Sequence, residues 1–226
     1  MQLAVFGSTG LAGAALTHLA LENGHHVRAL VREPGEAGRT VPGVEVIRGD
    51  ALDPSAVART VDGADAVIST LGGFRGPESI AAGTRNIVIA MRKTRGGRLV
   101  VLQGFHIDFP GDPWSPGRRL VETFLGLRCR PLLSYGAELG ELLRATDDVD
   151  WTLVRIPRMV DGGPSGRARA GSFSLGPWSV VRVGDVATHL LSLAQNDSSV
   201  HEAPMLHTPR SRHRAPESAA AEPVHR

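Results

Sequence analysis

The sequence predicts one α/β domain built on a doubly wound parallel sheet. An apolar strand-like run at the start of the chain ends abruptly in three glycines and is followed by a helix-like run. Strand-like and helix-like segments then alternate, and the strands are almost wholly apolar, as in a parallel sheet covered by helices on both faces. With 226 residues, 42% of them hydrophobic, the chain is long enough for one such core. We expect this domain to span residues 1–206.

The first half of the chain alternates in short, regular steps. Gly24 suits the end of the first helix because glycine readily adopts the left-handed conformation that closes helices. Asp53 is placed to cap the second helix ahead of Pro54, and apolar residues at helical spacing indicate the third. The predicted segments are strand 3–6, helix 11–23, strand 26–31, strand 44–48, helix 54–61, strand 65–69, helix 79–93 and strand 98–102.

Two loops rich in glycine and proline break this rhythm in the second half. Residues 103–117 and 159–178 follow the fifth and sixth strands on the ligand side of the sheet, so we expect them to form a substrate pocket. The remaining predicted segments are helix 118–125, helix 133–145, strand 151–155 and helix 184–195. The composition of residues 207–226 predicts a disordered tail.

The composition limits which partners the protein is expected to bind and which cellular compartment it suits. The chain has 25 basic and 23 acidic residues, and the excess lies in the tail, so the neutral body argues against nucleic-acid binding. No apolar run has membrane-spanning length and no basic segment precedes the first strand, so we expect neither membrane insertion nor secretion. The single Cys129 fits a reducing cytoplasm and is expected to be a small buried hydrophobe.

The glycines Gly7, Gly10 and Gly13 are spaced for a phosphate-binding turn. Backbone N–H groups at a helix start are unpaired and carry partial positive charge, so they attract anions. Glycine lets the backbone turn sharply and approach a ligand. The motif is weak alone, but a strand before it and a helix after it are the context of a dinucleotide fingerprint. We therefore predict a Rossmann-type domain with a dinucleotide pyrophosphate site.

Residues at the ends of the next strands extend this site. Arg32 ends the second strand, where its guanidinium would favour the 2′-phosphate of NADP(H) over NAD(H); it could instead be a solvated arginine, and the adjacent Glu33 opposes the preference. Asp50 could accept a hydrogen bond from adenine or cap its own turn. Residues 69–73 suit the adenosine and inner-ribose side, or form an ordinary turn. We predict NADP(H) as the preferred cofactor.

Candidates for proton transfer are few. His106 lies on the ligand-side loop with Asp108 two residues on, and could donate a proton to a substrate or merely hold the loop. His25, His26 and His189 are expected to be structural. The sequence has no metal-ligand cluster of credible spacing and no Gly-x-Ser-x-Gly nucleophile elbow.

Several motifs resemble those of the atypical short-chain dehydrogenase/reductases. The chain is more narrowly similar to the NAD(P)H-binding proteins that include flavin reductase/biliverdin-IXβ reductase and the negative transcriptional regulator-type redox sensors, over roughly residues 1–206. The motifs are Gly7-Ser-Thr-Gly10-Leu-Ala-Gly13, Val31-Arg32, Gly49-Asp50-Ala-Leu-Asp53, Asp65-Ala-Val-Ile-Ser69, Gly83-Thr-Arg-Asn86, Glu141-Leu-Leu-Arg144, Asp150-Trp-Thr-Leu-Val-Arg155 and Val183-Gly-Asp-Val-Ala187.

This resemblance implies a set of cofactor contacts. The pyrophosphate would be wrapped by six residues, namely Gly7, Ser8, Thr9, Gly10, Leu11 and Ala12. Arg32 would meet the 2′-phosphate. Asp50 and Ala51 would flank the adenine, and Leu71 and Gly72 the inner ribose. The segment from Arg155 to Pro157 would pass beside the nicotinamide.

The sequence departs from the wider family at the catalytic pair. That family uses Tyr-x-x-x-Lys, but the only tyrosine is Tyr135, with Leu139 four residues on, and the only lysine is Lys93. Gln103 ends the fifth strand, where relatives often have serine. A tyrosine-lysine alcohol dehydrogenase is therefore disfavoured. Tyr135 could still donate a hydrogen bond, or be a packed aromatic.

Three functions follow from these observations. The first is an NADPH-dependent reductase that passes hydride to a flavin, quinone or similar conjugated small molecule, with the proton coming from water. The second is a non-catalytic sensor of the NADP(H) redox state, and the third a nicotinamide-dependent epimerase or dehydratase. The missing tyrosine-lysine pair favours the first two. Aromatic residues in the loops, Phe105, Phe109, Trp114 and Trp178, favour an organic pocket over a sensor.

Overall fold

The computed structural model of the chain describes residues 1–32, 41–72, 77–94 and 97–209. Within these ranges the strands are β1 Gln2–Phe6, β2 His26–Val31, β3 Glu45–Arg48, β4 Ala66–Ser69, β5 Arg98–Gly104, β6 Trp151–Ile156, β7 Arg158–Val160, β8 Arg169–Gly171, β9 Val180–Arg182 and β10 Met205–His207. Eight of them form one sheet in the order β3-β2-β1-β4-β5-β6-β10-β8, and β7 pairs with β9 separately.

Helices connect these strands and cover the sheet. Their bounds are α1 Leu11–Glu22, α2 Pro54–Val61, α3 Thr84–Thr94, α4 Pro116–Arg128, α5 Arg130–Arg144 and α6 Val183–Ala194. A π-helical turn, Ser79–Gly83, leads into α3. The single helix predicted over 79–93 therefore begins with the i→i+5 hydrogen bonds of a π-helix instead of α-helical ones. Asp53 caps α2, as predicted, by accepting from the Ser55 backbone N–H at 2.9 Å.

The sheet has the predicted doubly wound topology. Described pairings in the main sheet are parallel, apart from that of β8 with β10. The chain runs outward from β1 through β2 and β3, then returns to the other side of β1 with β4. The strand order therefore reverses between β1 and β4, where Phe6 lies beside Ser69. Crevices of this kind, at the carboxyl ends of the strands, are where ligands bind in open α/β sheets.

Two apolar layers cover the two faces of the sheet. Ala4 and Phe6 of β1 contribute to the layer under α2, α3 and α5, and Leu3 and Val5 contribute to the layer under α1 and α6. Both faces are therefore buried, which explains why the central strands are continuously apolar. Cys129, expected to be buried, is only half-buried and packs against the first layer.

The structure corrects three boundaries of the second half. The loop predicted over 103–117 gives way to α4 at Pro116, where the Ser115 hydroxyl accepts from the Arg118 N–H. The loop predicted over 159–178 contains β8 and most of β7. The predicted tail also starts too early, since His207 lies in β10 and the Thr208 hydroxyl donates to Asp185 at 2.6 Å. Residues 210–226 lie outside the described residues.

Short strands such as β7 to β10 were missed because three-residue segments carry too little periodicity to be recognised. Among the described residues, no helix combines the length and apolar character needed to cross a bilayer.

Candidate active site

The glycine turn joins β1 to α1 at the point where the strand order reverses. Gly7 has a φ of 83°, a left-handed conformation that favours glycine. Its carbonyl oxygen accepts from the Gly10 N–H at 3.0 Å, and the Thr70 hydroxyl is within 3.1 Å of the Gly7 carbonyl and 3.0 Å of the Phe6 carbonyl. A Cβ on Gly13 would lie 2.2 Å from the Gly7 carbonyl oxygen. The turn is therefore compact, and α1 packs directly against it.

The start of α1 offers polar groups to an anion. Gly10 is the N-cap residue, and no side chain caps this end of the helix within the described structure. The first N–H groups of a helix have no partner inside it. Ser8 is 1% exposed, and its enclosed hydroxyl has no hydrogen-bond partner among the described residues. Unpaired amides at a helix start fit a pyrophosphate, whereas Ser8 lines neither of the two cavities beside the turn.

One cavity, of about 140 Å³, opens on the β2 side of the turn. Arg32 directly follows β2 and lines this cavity together with Leu30, Asp50 and Ala51. The Asp50 carboxylate accepts from the Leu52 N–H at 2.8 Å, so it does cap its own turn while it lines the cavity. The predicted opposition from Glu33 concerns a residue outside the described ranges.

A second cavity, of about 310 Å³, opens on the other side of the turn, toward β5 and β6. It shares Gly10, Thr70, Leu71 and Gly72 with the first cavity, so the two form one groove. Its own lining residues are mainly apolar or glycine, and they are Leu11, Ala12, Gly13, Leu102, Gln103, Gly104, Ile156, Pro157 and Met159. None of these lining side chains titrates.

Two lining residues carry more of the site than the sequence indicated. Thr70 ties the end of β4 to the glycine turn, although it was considered only as part of a small-residue turn. The Gln103 side chain donates from Nε2 to the Leu71 carbonyl at 2.6 Å. From the sequence alone, Gln103 is recognisable only as a departure from the serine that relatives often have at this position. Met159 could not have been recognised, because its place in the groove depends on where β7 packs.

Arg155 does not point into the groove. The residues after it, Ile156 and Pro157, line the second cavity, and their place beside the nicotinamide stays a prediction. The Arg155 side chain, 2% exposed, instead donates to Asp112 from Nη2 to Oδ1 at 2.7 Å and to the Ile107 carbonyl at 2.8 Å. It is thus a structural cation beneath the loop that follows β5.

Asp112 is the shared partner of two arginines. Its side chain is 5% exposed and also accepts from Arg118 Nη1 at 2.8 Å. Arg118 pairs in addition with the exposed Asp108, again at 2.8 Å. Burial alone would raise the pKa of Asp112, but the hydrogen bond and charge of Arg155, with the charge of Arg118, hold it below the ordinary 3.8. Asp112 is therefore ionised at neutral pH.

His106 and Tyr135, the two predicted catalytic candidates, lie outside the lining of both cavities. The His106 ring lies close against Gly104, where a Cβ would approach its Nδ1 to 2.5 Å. Burial lowers the pKa of His106 to about 4, so the ring is neutral at neutral pH. Its expected neighbour Asp108 pairs with Arg118 instead. Tyr135 is half-buried against the apolar layer under α5, in keeping with a packing role.

The aromatic residues expected to form an organic pocket are divided between interior and surface. Phe105 is buried, whereas Trp114 and Trp178 are 75% and 77% exposed and do not line the groove. The described lining of the second cavity is therefore aliphatic rather than aromatic. Among the described residues, no group of histidine, cysteine and acidic side chains could hold a metal ion.

Comparisons with known proteins agree with this geometry. The fold is shared with a candidate epimerase from Bacteroides thetaiotaomicron, at a TM-score of 0.76 and 24% identity, over 94% of this chain and 99% of that one. It is shared with the anaerobilin reductase ChuY from Escherichia coli O157:H7, at a TM-score of 0.71 and 24% identity, over 92% of this chain and 98% of that one. A candidate NADH-flavin reductase from Streptococcus pneumoniae has a TM-score of 0.68 and 23% identity, over 92% of this chain and 100% of that one.

Some of the curated relatives extend well beyond this domain, whereas others are matched over most of their own length. An uncharacterised protein of Mycobacterium tuberculosis is 28% identical over 193 residues, and the alignment covers 77% of this chain but only 22% of that protein. A family model described as NAD(P)H-binding matches residues 7–197, which include the glycine turn and the described lining of the groove apart from Phe6. The predicted resemblance is thereby confirmed, and the chain belongs to the NAD(P)H-binding family.

Proposed function

We propose that the chain is an NAD(P)H-dependent oxidoreductase that prefers NADP(H) and passes hydride to a small conjugated acceptor. One observation carries this proposal: a continuous groove crosses the switch point of the sheet, with an arginine at one end and an aliphatic wall at the other. The first end suits a phosphorylated adenosine, and the second suits a nicotinamide ring beside a flat organic acceptor.

The residues present fit this cofactor. The N–H groups that follow Gly10 would hold the pyrophosphate. Ser8, whose hydroxyl is enclosed, would have to turn its side chain toward the groove to take part. Arg32 would meet the 2′-phosphate, with Asp50 and Ala51 beside the adenine. Leu71 and Gly72, which line both cavities, would contact the inner ribose. When bound, the reduced cofactor supplies a hydride, so that the acceptor gains two electrons and takes a further proton from water, leaving the oxidised nicotinamide.

The aliphatic lining of the second cavity limits which steps of the proposed reaction the chain itself can assist. Since no described side chain that lines the second cavity titrates, this cavity would position the acceptor and exclude water rather than exchange protons. An epimerase or dehydratase needs a side chain that removes and returns a proton, so this wall supports those reactions less well. A proton donor from outside the groove, such as Tyr135 or neutral His106, would have to act after a movement of the loop or α5.

Measuring catalytic turnover distinguishes a reductase from a non-catalytic redox sensor. Purified protein is titrated with NADPH and NADH, and cofactor oxidation is then followed at 340 nm with a panel of flavins and quinones. We expect binding of both cofactors and oxidation with at least one acceptor. Tight NADPH binding without turnover on any acceptor would favour the sensor, and absence of binding to either cofactor would contradict both.

The Arg32→Ala variant tests the choice of cofactor. A charge-assisted contact with phosphate contributes about 1.5–3 kcal/mol, so we expect the Kd for NADPH to rise roughly 10- to 150-fold. The Kd for NADH should change less than about threefold, since NADH has no 2′-phosphate. Isothermal titration calorimetry with both cofactors measures the two values. Arg119→Ala removes the same charge from a 72% exposed site on α4 and serves as the control. Equal weakening of both cofactors by Arg32→Ala would refute the contact.

A further inference from the structure

The helix α4 carries most of its large apolar side chains on the side away from the core. Leu120, Phe124 and Leu127 are 61%, 62% and 81% exposed. Their spacing of four and three residues places them along one face of the helix. Surface helices ordinarily turn such a stripe toward the core, yet the large apolar side chain that α4 buries is that of Leu125.

Polar contacts hold the opposite side of α4 against the fold. Arg118 is buried and pairs with Asp112 at 2.8 Å, and its Nε lies 3.4 Å from Glu122 Oε1. The hydroxyl of Ser115, which caps the helix, donates to the Leu175 carbonyl at 2.9 Å. The folded chain therefore keeps α4 in place without burying its apolar stripe.

Two exposed tryptophans lie near the start of the same helix. Trp114 directly precedes the N-cap Ser115. Trp178 belongs to the loop that packs on α4, since a Cβ on Gly117 would lie 2.7 Å from the Cα of Gly176. Tryptophan combines an apolar ring with an N–H donor and is enriched where a bilayer meets water. Apolar groups gathered in this way mark an interaction site more strongly than single exposed residues do.

The charges that border the stripe are positive. Arg119 is 72% exposed, and Arg128 and Arg130 are exposed at the other end of the helix. The acidic residue of α4, Glu122, is 25% exposed and pairs with Arg118 and Arg119. Arginine can lay its apolar stem along hydrocarbon while its charge stays in water. An apolar stripe between arginines is therefore complementary to anionic lipid headgroups above a hydrocarbon layer.

A second copy of the chain fits this face less well. Two α4 helices packed antiparallel about a two-fold axis, with Leu120 facing Leu127, would bring Arg119 of each copy opposite Arg128 of the other. Like charges would then meet at both ends of the contact and oppose association. The cationic border thus favours an anionic partner over a copy of the same helix.

We propose that α4 is a membrane-surface site, which lays Leu120, Phe124 and Leu127 into the headgroup region of an anionic bilayer. Attachment of this kind needs no spanning helix, so it differs from the membrane insertion that the sequence argues against. The inference goes beyond the proposed function and does not depend on it.

The test sediments the full chain with vesicles of equimolar phosphatidylcholine and phosphatidylglycerol, and with vesicles of phosphatidylcholine alone. We expect tighter binding to the mixed vesicles, which weakens about fivefold in Arg128→Gln. Tryptophan emission should shift to shorter wavelength, because Trp114 and Trp178 leave water whereas Trp151 is already buried. Absence of binding to the mixed vesicles, or equal binding to both kinds, would overturn the proposal.

A double variant, Phe124→Gln with Leu127→Gln, tests the apolar stripe itself. Both side chains are exposed, so thermal melts should match wild type, while affinity for the mixed vesicles should fall at least tenfold. Ile89→Gln removes an apolar side chain that is 42% exposed on α3 and serves as the control. Unchanged vesicle binding in the double variant would assign the attraction to another part of the chain, such as the basic residues 210–226, and contradict the proposal.

Sedimentation equilibrium without lipid tests the competing occupant of this face. We expect wild type and the double variant to have the same mass. A wild-type dimer that the double variant converts to a monomer would assign the stripe to a second copy of the chain, and the membrane site would be refuted.

Discussion

Replacing Asp112 by alanine is expected to lower the free energy of unfolding by about 3–5 kcal/mol, because it leaves buried guanidinium charge without its partner. Arg155 is 2% exposed and Arg118 is 8% exposed, so both guanidinium groups are largely shielded from water. For a domain of this size the melting temperature should fall by about 10 °C. Urea denaturation at pH 7, followed by circular dichroism, measures the change.

Asp108→Ala is the matched control. Asp108 pairs with the same Arg118 at 2.8 Å but is 70% exposed, and exposed pairs contribute about 0–1 kcal/mol. The difference between wild type and Asp112→Ala should also depend on pH. Since the pKa of Asp112 is depressed when folded, its contribution is complete above the ordinary value of 3.8 and is lost as the pH falls through the lower folded pKa. If both variants cost the same at pH 7, the buried pair is not the stabilising element.

Replacing Gly13 by alanine is expected to weaken cofactor binding at least tenfold and to destabilise the fold by about 1–3 kcal/mol. Its Cβ would lie 2.2 Å from the Gly7 carbonyl oxygen and 2.8 Å from the Thr70 hydroxyl. The start of α1 would have to move away from the turn, and its N–H groups would move away from the pyrophosphate with it. Calorimetry with NADPH and thermal melts measure the two effects.

Substitutions at two other glycines distinguish the effect of distorting the turn from the effect of blocking the groove. A Cβ on Gly10 would meet only the Gly7 carbonyl oxygen, at 3.3 Å, and would otherwise enter the groove that Gly10 lines. Gly10→Ala should therefore weaken binding with little loss of stability. Gly163→Ala adds a methyl group with no described atom within 4 Å and should change neither. Cofactor affinity in Gly13→Ala equal to that of Gly163→Ala would show that the close packing of α1 does not matter for binding.

The cofactor half of the groove was predictable because its signals are local. The glycine spacing, Arg32 at the end of β2 and Asp50 at the end of β3 are each read within a few residues, and the alternation of apolar segments orders the strands around them. Parallel pairing then brings all these strand ends to one edge of the sheet. The structure places these residues along the groove expected from that reasoning, while their contacts with a cofactor stay predictions.

The lining of the second cavity was only partly predictable, because the contacts that shape it join distant parts of the chain. Nothing in the sequence near Arg155 shows that its partner is Asp112, 43 residues earlier, or that its Nε donates to the Ala203 carbonyl, 48 residues later. The sequence therefore suggested a residue beside the nicotinamide instead of a buried ion pair. The prediction that the aromatic loop residues form a pocket was wrong for a related reason. The sequence shows that Trp114 lies in the loop, but it does not show which way the side chain points.

The buried Arg155–Asp112 pair also joins three segments that are distant in the sequence. Arg155 of β6 donates to the Asp112 carboxylate, 43 residues earlier, and to the Ala203 carbonyl, 48 residues later. The glycine turn depends on distant contacts as well, since the Thr70 hydroxyl lies within hydrogen-bond distance of the Phe6 and Gly7 carbonyls, 64 and 63 residues earlier. Contacts of such separation carry a loop-closure cost. The first cavity of the groove can therefore be complete only after β1 has paired with β4, and the second only after β5 has paired with β6 as well.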